Sequence, residues 1–140
     1  MLVTILYASI LSGAFPLFVY FKNRNTIKIP AFNFLNFALQ LSLASDLISL
    51  ALAKFKVSNF VVTNIYSVVS FILLAFFYKS LLPRWQKTST ILIVCFIAFA
   101  LINVFFFQGP FEIQGYTRAL AALILIILAF LYFGTIFKEA

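Results

Sequence analysis

Asp46 is the residue most able to do chemistry in this sequence. It is one of three acidic residues, and the other two, Glu112 and Glu139, lie outside or at the ends of apolar runs. Asp46 sits well inside such a run. At the helical rise it is about 10 Å from the nearer end of that run. A carboxylate at this depth costs about 2.5–3.5 kcal/mol on membrane-insertion scales. Two readings follow. Asp46 is a proton-titrating or ligand-contacting group, or it is a structural carboxyl tied to neighbouring hydroxyls.

The neighbours support either reading. Ser42, Ser45, Asp46 and Ser49 fall within roughly one 100° sector of a helix. The next apolar run brings Asn64, Ser67 and Ser70 at helical spacing. Counted inward from the short break between the two runs, Asn64 and Ser67 reach about the depth of Asp46. The pattern predicts a polar cluster of Asp46 with Asn64 and Ser67, joined by Ser42, Ser45 and Ser49. As plain interhelical glue, each hydrogen bond would contribute about 0.6 kcal/mol. A second stripe, Asn33, Asn36 and Gln40, lies nearly opposite on the same helix. That helix is expected to be central, with protein on both faces. Asn103 and Gln108 are expected as packing or interfacial amides that could join the cluster. Arg118 should reach outward to the interface, with Glu112 as its nearer partner. Ser9 and Gly13 form a small-xxx-small pair. Cys95 reads as a small apolar filler.

Missing residue types exclude whole classes of chemistry. The chain has no histidine. A Ser–His dyad and a histidine-based zinc site are therefore impossible. No second aspartate lies within an apolar run, which removes paired-carboxylate hydrolysis. The four glycines form no phosphate-binding loop. The expectation is a protein that is not an enzyme, with no catalytic residues, no metal and no cofactor.

These side chains must be held by membrane helices. Hydrophobic residues make up 65% of the chain and charged residues 9%, against about 25% charged in a soluble domain. So apolar a chain could not cover its own core with polar surface. Five runs approach the ~20 residues that cross a hydrocarbon layer. They span residues 2–21, 31–53, 59–78, 89–107 and 117–137. A membrane barrel would instead alternate polarity over segments of about 10 residues. The fold class is therefore all-α: a polytopic transmembrane helix bundle of about five spans, forming one domain over residues 1–140. Pro16 should kink the first span or end its regular part early, and Pro30 suits the start of the second.

Charge placement orients the bundle. The net charge of +7 is spread over short clusters between apolar runs, so no nucleic-acid partner is expected. Lys22, Arg24, Lys28, Lys79, Arg84, Lys87 and Lys138 fall on one side, against Lys54, Lys56 and Arg118 on the other. The larger set belongs in the cytoplasm. The N-terminus is then outside and the C-terminus cytoplasmic. Tyr20, Tyr78, Trp85 and Tyr116 sit near span ends, as interfacial aromatics do.

Several stretches carry a resemblance: Ser45-Asp46-Leu47-Ile48-Ser49, Ser58-Asn59-Phe60, the segment from Asn64 to Phe71, Thr117-Arg118-Ala119-Leu120 and Leu131-Tyr132-Phe133. Together they resemble multi-spanning membrane proteins of Bacteroidetes-type bacteria. That family looks like seven-helix proteins, some similar to the membrane sensor part of histidine kinases. The resemblance implies a bacterial inner-membrane location. In the family an acid tends to precede the position of Phe71 and to follow the Arg-x-Leu; here Ser70 and Ala121 stand there. The chain ends where two further helices would be expected, which suggests a C-terminal truncation or a shortened relative. The functional expectation is a sensor- or receptor-like membrane module. The alternatives are a non-catalytic subunit or scaffold, and a small proton-linked transporter. The partners expected are the lipid bilayer and either a second copy or another membrane subunit.

Overall fold

The computed structural model describes residues 14–20, 22 and 29–139. Most of the first predicted span lies outside these residues, as do Ser9, Gly13, Arg24 and Lys28. Residues 14–20 are helical (α1). Four long helices follow: α2 (Ala31–Lys54), α3 (Phe60–Leu81), α4 (Gln86–Ile102) and α5 (Gly115–Glu139). A 3-10 turn, Pro83–Trp85, links α3 to α4, and a π turn, Asn103–Phe107, continues α4. No strand occurs among the described residues.

The helices begin and end near the predicted boundaries but run up to a turn further. Outside water, a backbone N–H or C=O finds its partner most cheaply by continuing the helix. Each of the four spans, taking α4 with its flanking turns, holds 22 to 25 residues and is apolar enough to cross a membrane. At 1.5 Å per residue they are about 33–38 Å long, against a hydrocarbon core of about 30 Å. Their large side chains point outward in numbers that water would not tolerate. Phe105, Phe106 and Phe130 are 77%, 79% and 72% exposed. The protein is an all-α membrane bundle.

Helix ends follow local chemistry. Pro30 precedes α2 with φ −58°, in the helical range that its ring enforces. The other end of α2 closes in a Schellman motif. Val57 N–H donates to Leu52 O at 3.1 Å, and Lys56 N–H donates to Ala53 O at 3.2 Å. This requires a left-handed residue, and Lys56 takes φ 55°. The turn reverses the chain, so α2 and α3 form the antiparallel hairpin that the short break predicted.

The core is a seam between α3, α4 and α5. It contains Phe71 and Ala75, then Ile93, Phe96 and Ala100, then Ala121, Ile124 and Leu128. Phe71 and Phe96 meet with ring centroids 3.8 Å apart. The alanines let the backbones approach closely around these rings, as small residues do in membrane bundles. α2 lies on the far side of α3, through ring pairs such as Phe34–Phe76 at 5.7 Å.

The central helix among the described elements is therefore α3, which packs on α2, α4 and α5. α2 meets α3 on one side, and Tyr20 of α1 reaches its Asn33; how far α1 covers α2 lies outside the described residues. α3 carries the bulky and small residues that fit the α4–α5 seam on one face and the rings that meet α2 on another. The expectation for Cys95 is corrected. It is exposed on α4, because the core-facing positions there are Ile93, Phe96 and Ala100.

Candidate polar site at the α3–α4–α5 end

The polar residues of the bundle gather at the end where α4 passes into α5. Asn64, in the second turn of α3, is the hub. It is 5% exposed. Its Nδ2 donates to Pro110 O at 3.2 Å and to Glu112 O at 2.7 Å. Its Oδ1 accepts from Gln114 N–H at 3.4 Å and from Arg118 Nη2 at 3.3 Å. A primary amide has two donors and two acceptor positions, so Asn64 is saturated. One side chain on α3 holds the whole connection and the first turn of α5.

Asn103 anchors a second group. It is fully buried. Its Nδ2 donates to Thr117 Oγ1 at 2.9 Å and to Gln108 Oε1 at 3.1 Å. Gln108 Oε1 also accepts from Tyr116 N–H at 3.4 Å. The π turn makes this possible. Its wide bond, Gln108 N–H to Asn103 O at 2.7 Å, sets Asn103 inward while Phe105, Phe106 and Phe107 face out. Such turns are rare and often found at functional sites.

Together the two amides cap α5. The first N–H groups of a helix lack partners inside it. Here Gln114 N–H goes to Asn64 and Tyr116 N–H to Gln108, so side chains from other helices replace a local Ser or Asp cap. Two groups in this cap remain unpaired: Asn103 Oδ1 and Arg118 Nε are buried without a hydrogen-bond partner. A shallow groove of about 340 Å³ borders the cap, walled by Val61, Ile65, Val68, Val69, Val104 and Pro110, with Asn64 and Gln114 at its edge.

The predicted cluster is only partly assembled this way. Ser45 is buried, while Ser42, Asp46, Ser49 and Ser67 are half-buried. Asp46 makes an interaction of its own. Its expected pairing with Asn64 does not form, because the amide has no bonding position left. α3 turns Asn64 toward α5 rather than toward α2. Arg118 departs from expectation as well: it reaches inward to Asn64 instead of out to the interface. Glu112 meets Asn64 through its main-chain carbonyl, and its side chain stays exposed. Asn33 accepts from Tyr20 Oη at 3.0 Å, and Asn36 Oδ1 is a further buried, unpaired acceptor.

Gln114 and Thr117 are the site residues that the sequence reading did not place there. They are 4% and 1% exposed. Their signal was the spacing of Gln114, Thr117 and Arg118, which puts all three on one face of a helix start. Among the described residues no group of His, Cys, Asp or Glu is placed to hold a metal. No protein-family model, curated protein or solved structure matches the chain.

Proposed function

We propose that this protein is a multi-pass, non-catalytic sensor module of a bacterial cytoplasmic membrane. In this reading the N-terminus is outside and the polar cap lies at the outer face. The cap is the input element. The observation that carries the reading is its unfinished hydrogen bonding. Glue alone would pair every group, since an unpaired buried group costs about 1–3 kcal/mol. Arg118 Nε–H and Asn103 Oδ1 instead remain as a buried donor and a buried acceptor, whose pairing a shift of the connection would change.

α3 supplies the route to the other face. Asn64, Phe71 and Tyr78 recur every seven residues, on one side of the helix. Phe71 packs on Phe96, and Tyr78 meets Tyr132 of α5 with centroids 6.3 Å apart. A displacement at the cap is thus carried by rigid packing toward the Pro83 turn. The apolar middle of this seam favours a sensor over a transporter, which would need polar groups across the bundle. A second reading, a scaffold subunit, draws on Phe105–Phe107, whose rings offer an apolar surface to a second copy or another membrane protein.

Trp85 is the only tryptophan and sits in the Pro83 turn, away from the cap. Its emission in lipid nanodiscs tests the sensor reading. Arg118→Met, which disturbs the cap alone, should shift the emission maximum. An unchanged spectrum, with unchanged signalling from any partner, would reject the sensor reading in favour of the scaffold.

A further inference from the structure

A cavity of about 470 Å³ opens at the opposite end of the bundle, between the Pro83 turn and the last turns of α5. Arg84 and Lys138 line it. Phe130 and Leu131, about two turns before Lys138 on α5, add apolar lining deeper in the span, and Trp85 lines the cavity beside Arg84. The position is set by the spans. One candidate span begins at Pro83 and another ends at Lys138, so both cations lie at the same membrane edge. Gly134 faces open space in the cavity, where a Cβ built on it would meet nothing within 4 Å.

We propose that this cavity binds an anionic glycerophospholipid. Arg84 and Lys138 hold the headgroup phosphate, and one acyl chain lies along Phe130 and Leu131. Arginine can bind a phosphate in bidentate fashion, and basic pockets at the cytoplasmic edge of membrane helices suit anionic headgroups. The two cations favour an anionic headgroup over a zwitterionic one, whose ammonium group they would repel. The apolar lining deeper in the span is what a free phosphate would leave uncovered. Two other grooves among the described residues, beside Asn64 and between α2 and α3, have no charged lining. The inference is independent of the sensor reading.

Trp85 also supplies the test. Vesicles would contain phosphatidylglycerol and phosphatidylcholine, with one or the other brominated, at equal mole fraction. Brominated phosphatidylglycerol should quench Trp85 well beyond its mole fraction, a preference on the order of tenfold. Arg84→Gln with Lys138→Gln should reduce the preference to about twofold or less. Gly134→Phe, which fills the cavity and leaves both charges, should also lower it. Quenching by brominated phosphatidylcholine and helicity by circular dichroism report that each variant is folded and inserted. Equal quenching by both lipids in the wild type would overturn the proposal. So would an unchanged preference in the double variant. Relief of quenching by inorganic phosphate as effectively as by unbrominated phosphatidylglycerol would also overturn it, in favour of a free-oxyanion site.

Discussion

Asn64 has the most to lose at the scale of single residues. Replacing it with leucine would strand two carbonyls, a backbone N–H and the Arg118 guanidinium. With about 1–3 kcal/mol for each buried group left unpaired, and partial relaxation, the expected loss is on the order of 3 kcal/mol. Reversible unfolding in mixed detergent micelles would measure it. A loss under about 1 kcal/mol would mean that the hydrogen bonds of Asn64 contribute little. Phe71→Ala should cost about 3–5 kcal/mol in the same assay, as for large core residues generally. Phe105→Ala, on an outward-facing ring, should stay within about 0.5 kcal/mol. The sequence made Asn64 legible as a buried polar residue, but not its partners. Helical spacing defines the face that a side chain occupies; it does not tell which neighbouring helix that face meets. Asp46 drew attention because of its charge, whereas the densest network is built by neutral amides.

At the scale of elements, the α2–α3 turn offers a clean test. Lys56 holds a left-handed conformation, which costs a residue with a Cβ roughly 1–2 kcal/mol. Lys56→Gly should therefore raise stability by roughly 1 kcal/mol, and Lys56→Val should lower it. Denaturant midpoints of the two variants would show whether the turn limits the hairpin. Four of the five predicted spans could be read from the sequence to within a few residues, because apolar length is a direct signal of a membrane crossing. The π turn was not legible. It depends on Asn103 being drawn inward by Thr117, a residue on another helix. The contacts of α3 with three described helices were not legible either, because spacing along one helix does not reveal which neighbours it meets.

For the whole molecule, the bundle places its polar cap and its basic cavity at opposite ends. Labelling in intact cells should show this directly. In a Cys95→Ser background, a cysteine introduced at Gly109 should react with a membrane-impermeant maleimide from outside. One at Lys87 should react only after the cells are opened. The reverse pattern would invert the orientation deduced from the Lys and Arg count.

The central claim is that the cap and the Pro83 turn are mechanically coupled through α3 and α5. Hydrogen–deuterium exchange in nanodiscs, comparing the wild type with Arg118→Met, tests it most directly. The account predicts faster exchange at residues 114–118 and also at residues 81–86, with the middle of α2 unchanged as a control for global loosening. Faster exchange confined to residues 108–118 would contradict the coupling and leave the cap as a local brace.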